Sequence, residues 1–205
     1  MKTRICFLAM AFLLLAFASA QSADTLGPSC GSKNYKMLRI PKWEQKFGTS
    51  WCWAATAQNV MAFHDKNVDQ CTLVATVYNY PYPEDPNGPC CGKTATECFG
   101  WGGHPEWIFD KFQFSFLPPY EYSKNLTWEE ATEEICQNRP FISSLDLATG
   151  DRHSVVVTGY SVKHGVRVYD PALDDLIYES SAEFFDGQSQ DYTRFRDTYN
   201  IQPIK

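Results

Sequence analysis

Cys52 stands where a helix should begin. The run Trp51-Cys52-Trp53-Ala54-Ala55-Thr56-Ala57-Gln58-Asn59-Val60-Met61-Ala62-Phe63 follows Thr49-Ser50, whose hydroxyls suit an N-cap. A thiol in the first helical turn meets unsatisfied N–H groups and the positive end of the helix dipole, and both favour a thiolate. Taken alone, such a cysteine reads more often as a small buried hydrophobe or as half of an intermolecular bridge. A thiolate nucleophile also needs a base, and of His64, His104, His153 and His164 only His153 is placed by a pattern. It begins the strand-like run Ser154-Val155-Val156-Val157-Thr158. Gly159 to Gly165 then turns the chain into Val166-Arg167-Val168-Tyr169-Asp170. A turn centred near Val162 sets Asp170 at or beside the position opposite His153, where directly opposed Cβ atoms lie about 4.5 to 5.5 Å apart. A carboxylate on one ring nitrogen fixes the tautomer and steadies an imidazolium, leaving the other nitrogen to face a thiol.

Each residue also has a plainer reading. Asp170 before Pro171 suits a turn, and His153 suits a strand edge, yet Cys52, His153 and Asp170 together are accounted for more economically by shared acyl-transfer chemistry. His64 at a helix end, His164 in the turn and His104 beside Gly102-Gly103 have surface explanations, with His104 the reserve base.

The remaining cysteines sharpen this choice. Seven follow the first 20 residues: Cys30, Cys52, Cys71, Cys90, Cys91, Cys98 and Cys136. In an oxidising compartment six can pair, and the odd thiol requires an explanation that a nucleophile supplies. The expected disulfide formers are therefore Cys30, Cys71, Cys90, Cys91, Cys98 and Cys136. A zinc site of Cys90, Cys91, Cys98 and His104 is the competing reading, but these gaps match paired two-residue spacings poorly.

The elements that must position these groups fall into two halves. After the Cys52 helix come helical segments near Cys71 to Tyr78 and Pro105 to Phe112, separated by a loop with Pro81, Pro83, Pro86 and Gly88. Thr127-Trp128-Glu129-Glu130 has capping-box spacing and should open a helix that ends before Pro140. Beyond Pro140 the pattern predicts strands at Phe141 to Leu145, Ser154 to Thr158, Val166 to Tyr169, Leu176 to Tyr178 and Tyr199 to Ile204. Trp53, Ala57, Val60 and Met61 would form the buried face of the central helix. The fold class is α+β: a helical N-terminal part bearing the cysteine and a C-terminal antiparallel sheet bearing the histidine and aspartate.

Lys2 and Arg4 precede an apolar run from Ile5 to Phe17, and Ala18-Ser19-Ala20 supplies a small-residue cleavage pattern. The run is shorter than the ~20 residues that span a bilayer. Residues 1–20 thus read as a signal peptide, 21–35 as a short leader or linker, and 36–205 as one domain, large enough at 44% hydrophobic to bury a single core. Loss of Lys2 and Arg4 takes 18 basic residues to 16 against 24 acidic, and the net charge from -6 to -8. Nucleic-acid and membrane-surface partners are disfavoured on that balance. The expected location is extracellular, or periplasmic in a Gram-negative source, and Asn125-Leu126-Thr127 is a glycosylation sequon if the source uses one.

Trp51-Cys52-Trp53-Ala54-Ala55, the Cys71, Cys90-Cys91 and Cys98 series, His153-Ser154-Val155-Val156-Val157-Thr158-Gly159-Tyr160 and Val168-Tyr169-Asp170-Pro171 together resemble the papain-like cysteine peptidases. The likeness is to their compact branch, related to bacteriocin-processing peptidases and bacterial avirulence proteases. The resemblance spans roughly Ile40 to the C-terminus. It implies a papain-like fold, hydrolysis of peptide bonds through a thioester, a protein or peptide substrate, a proteinaceous inhibitor as a further partner, a monomeric state and no cofactor. It also implies a glutamine before the cysteine that helps to bind the developing oxyanion; Gln45 is the candidate, one residue further from Cys52 than is usual. Asp151-Arg152 stands before His153 where such proteins often carry glycines. A cysteine-dependent acyltransferase, or a catalytically silent disulfide-bonded binding protein on the same scaffold, remain the alternatives.

Overall fold

The computed structural model describes residues 30, 33–80, 90–92, 97–118 and 124–205. The expected signal peptide, most of the leader and the proline-rich loop lie outside the described residues.

Among the described residues, seven strands and five helices build a mixed helix and antiparallel-sheet fold. In chain order they are β1 (Tyr35–Met37), α1 (Cys52–Phe63), α2 (Gln70–Val77), α3 (Pro105–Lys111), β2 (Phe114–Leu117), α4 (Trp128–Cys136), β3 (Phe141–Leu147), β4 (Arg152–Ser161), β5 (Gly165–Asp170), β6 (Asp175–Glu179), α5 (Ser181–Phe185) and β7 (Tyr192–Pro203). The sheet runs β2-β7-β3-β4-β5-β6, and β1 pairs with the far end of β4. All pairings are antiparallel.

The three consecutive valines of β4 show how the sheet is covered. Side chains alternate between faces along a strand. Val156 belongs to the core cluster of α1, α2 and α3, with Trp53, Val60, Leu73 and Phe109. Val155 and Val157 belong to a second cluster, with Trp128, Ile135 and Phe184 from α4 and α5. Both faces of β4 are therefore dry, and that is why its sequence reads as an unbroken apolar run. At the β4–β5 turn, Gly165 has φ +86°, and a Cβ there would fall 1.9 Å from the Glu179 carbonyl oxygen. No other residue fits so close to β6.

α1 is buried on every side from Trp53 to Met61, not along the single face that the apolar spacing suggests. Its buried polar groups are matched locally. Asn59 accepts from Trp43 N (2.7 Å) and donates to Trp43 O (3.0 Å) and Ala55 O (2.7 Å), while Thr56 Oγ1 donates to Cys52 O at 3.0 Å. The N-cap also differs from expectation. Trp51 occupies it and no side chain caps the helix. Thr49 Oγ1 donates to Lys46 O at 2.6 Å and Ser50 N to Phe99 O at 2.7 Å, so the preceding hydroxyl residues hold the loop instead. The Thr127 capping box on α4 forms as its spacing predicts.

β1, β2 and α5 are absent from the sequence reading, and β7 starts seven residues before the expected strand. β1 and β2 are too short to show a period, although Ser180 and Glu183 do form a second capping box. Disulfides join Cys30 to Cys136, Cys71 to Cys91 and Cys90 to Cys98. The alternative zinc set is excluded in this structure because all three of its cysteines are bridged. His64 is also not a solvated surface residue. It is half-buried with its ring 5.2 Å from Phe63 and 5.9 Å from Phe114, and burial lowers its pKa.

Candidate active site

Cys52 is the first residue of α1, and it is the free cysteine among the described residues. Its position is set from both sides. Trp51 and Trp53 are fully buried, with their indole N–H groups donating to Cys98 O (2.8 Å) and Trp101 O (3.2 Å). With the Ser50 N bond to Phe99 O, three hydrogen bonds tie the residues flanking Cys52 to segment 98–101, which the Cys90–Cys98 disulfide anchors. Gly103 continues this wall flat against the Trp53 ring, where an added Cβ would come within 2.7 Å.

The opposite wall is the β4–β5 pair. Its register puts Val156 against Tyr169 and Val157 against Val168, with an irregularity before Gly159. Continued by one pair, it sets Asp170 against Val155, so Asp170 lies diagonal to His153 and not directly opposite. The offset arises at the turn, where Ser161 pairs with Gly165 and centres the hairpin one residue beyond Val162; the irregularity before Gly159 recovers only part of it. A diagonal neighbour is still within reach of an imidazole. His153 Nε2 and Asp170 Oδ1 are 2.8 Å apart, both side chains are nearly buried, and Ala172 N donates to the same oxygen at 2.8 Å. That leaves Nδ1 as the free ring nitrogen, and Cys52 lines the same cleft as His153.

The electrostatics follow from this geometry. Burial alone would lower the His153 pKa, but hydrogen bonds and negative charge from Asp170 and Cys52 outweigh it and raise the pKa to about 10. For Asp170 burial pushes upward, and the His153 bond, its charge and the backbone N–H groups of Ala172 and Leu173 hold the carboxyl below its ordinary value. A carboxylate-held imidazole sharing a cleft with a free thiol is an arrangement that suits nucleophilic chemistry.

These groups open on a cleft of about 620 Å³ whose lining includes Gln45, Cys52, His104, Arg152, His153 and Phe195. Gln45 is anchored by its backbone N–H to Pro171 O (2.7 Å), and its side-chain amide donates to Thr49 O. His104 is half-buried on the lining, its ring 5.0 Å from Trp107, so the reserve base is part of the cleft and not a solvated loop residue. Asp151 lines the rim and accepts from Thr149 Oγ1 at 3.3 Å. Asn125 is exposed, with its amide donating to Arg194 O at 2.9 Å.

Sequence reasoning missed Phe195, Trp107 and Ser144 as lining residues. Phe195 is the extra residue of a β7 bulge, since Ser144 pairs with Arg196 and Leu145 with Arg194. Bulges re-aim side chains beside sites of this kind, and no residue type announces one. No described helix is long and apolar enough to cross a membrane.

No curated protein matches the chain. A family model described as Peptidase_C39-like matches residues 34–200, a span that includes α1, the β4–β5 pair and the whole cleft lining. The chain belongs to the Peptidase_C39-like family of cysteine peptidases.

Proposed function

We propose that the protein is a papain-like peptidase that hydrolyses peptide bonds through a thioester, with Cys52 as nucleophile, His153 as general base and acid, and Asp170 as the group that orients His153. One observation carries this reading: the free Cys52 shares a cleft with an imidazole whose Nε2 is held by a nearly buried carboxylate at 2.8 Å.

The Cys52 sulfur attacks the scissile carbonyl carbon, and the carbonyl π electrons move to oxygen. The Cys52 N–H, at the start of α1 where no intrahelical acceptor exists, and the Gln45 amide receive that oxyanion. As the tetrahedral intermediate collapses, the C–N bond breaks and the imidazolium proton of His153 goes to the departing amine. The neutral imidazole then removes a proton from water, which attacks the thioester and releases the acid with the thiolate restored. Asp170 stays ionised throughout and holds the ring in place.

Six bridged cysteines beside one free thiol support action in an oxidising compartment outside the cytoplasm, with exposed Asn125 as a glycan acceptor where the source permits. The test is a peptide-library cleavage profile of wild type beside Cys52→Ala, with and without an added amine. Cys52-dependent appearance of free acids supports hydrolysis. Amide products that form only with added amine would refute it in favour of acyl transfer.

A further inference from the structure

Arg152 is a cleft residue the mechanism does not use, and two neighbours engage its guanidinium. The β7 bulge presents the Phe195 ring to the cleft, and the Arg152 guanidinium stacks on it at 4.4 Å. From the neighbouring strand, Asp146, the pairing partner of Arg152 in β3, accepts from its Nε at 3.0 Å. Among the described residues no hydrogen bond is made to its two terminal nitrogens. A guanidinium stacked on one face and bonded at Nε keeps a planar two-donor edge, the shape that binds a carboxylate through two parallel bonds.

Resting on the peptidase reading above, we propose that Arg152 is a specificity-determining residue that selects substrates carrying an acidic side chain close to the scissile bond, its terminal nitrogens binding that carboxylate beside His153. The charge of Arg152 also reaches a second lining residue. Burial lowers the pKa of His104, Glu106 opposes that, and Arg196 and Arg152 each add to the lowering. On a chain of net charge -6, this is a place where an anionic side chain meets attraction within the cleft. Asp151 on the same rim opposes it and keeps the preference moderate.

The experiment uses matched fluorogenic peptides that differ only by Glu or Gln, placed in turn at the three positions on each side of the bond. Wild type should favour Glu at one position by roughly five- to tenfold in kcat/KM, expressed mainly in KM, between an exposed ion pair and a fully desolvated one. The preference should vanish in Arg152→Gln, persist in part in Arg152→Lys, grow in Asp151→Asn and shrink as salt rises. Binding of the same peptides to Cys52→Ala, followed by fluorescence anisotropy, reads the preference without turnover, so failure of the peptidase reading is seen separately from failure of this one. Equal use and equal binding of Glu and Gln at all six positions, or an undiminished preference in Arg152→Gln, overturns the proposal.

Discussion

Replacing Asp170 by Asn should change the stability of the fold in a pH window fixed by the His153 pair. The His153 pKa stands at about 10 against an ordinary 6.5. At 1.36 kcal/mol per pH unit, that rise corresponds to on the order of 5 kcal/mol of preference for the charged ring. Asp170 and Cys52 share the interactions that raise it, and an amide keeps an acceptor, so the Asn variant should lose about 2 to 3 kcal/mol near pH 6. A folded pKa above the unfolded value gives stability that is complete below about 6.5 and is lost as pH rises toward about 10. The Asp170 pKa is lowered, so its contribution is complete above the ordinary 3.8 and fades as pH falls below that. The difference between wild type and Asp170→Asn should therefore be largest from about pH 4 to 6.5 and close at no more than about 1.4 kcal/mol per unit above it. Urea unfolding at fixed pH values from 4 to 10 measures this curve. A difference that is flat across the range, or that grows toward pH 10, would refute the pairing argument.

Cys52→Ala and His153→Ala should each abolish Cys52-dependent peptide turnover with the fold intact by circular dichroism, and the double variant should be no slower than either, because the groups act as one unit. Alkylation of the unreduced protein should add one label per chain, mapped by peptide analysis to Cys52; a label on Cys90, Cys91 or Cys98 would contradict the disulfide pattern. Gly103→Ala forces a Cβ to within 2.7 Å of the Trp53 ring and should cost about 1 to 3 kcal/mol by thermal unfolding, together with part of the turnover. An unchanged melting temperature would show that this wall yields freely.

Which residues would meet in the candidate site was legible because each leaves a local mark. Cys52 follows a helix-starting pattern and is the odd cysteine, while His153 and Asp170 bracket one hairpin. The register between them was not legible to the residue, since the irregularity before Gly159 has no signature in residue type. The same holds for Phe195, whose place on the lining depends on a bulge set by long-range pairing of β7 with β3. The helix cap failed for a different reason: the Thr49 hydroxyl donates to Lys46 O and the Ser50 backbone N–H to Phe99 O, and Trp51 takes the cap position. Arg152 stood out in the sequence only as a departure from glycine, and its stacking and pairing became visible once three strands lay side by side.

The wall of residues 98–103 sets two redox demands against each other. In the proposed mechanism Cys52 must be reduced to react, yet the segment that fixes its neighbours is anchored by the buried Cys90–Cys98 bridge. A reductant added to protect the first therefore threatens the second. Turnover should climb with low concentrations of dithiothreitol as oxidised Cys52 is recovered, pass through a maximum, and fall as two reductant thiols convert the bridge to free cysteines and the indole anchors loosen. The working range of such a peptidase is then bounded by oxidant on one side and by reductant on the other, and a rate that only climbs up to tens of millimolar reductant would show that the wall stands without its bridge.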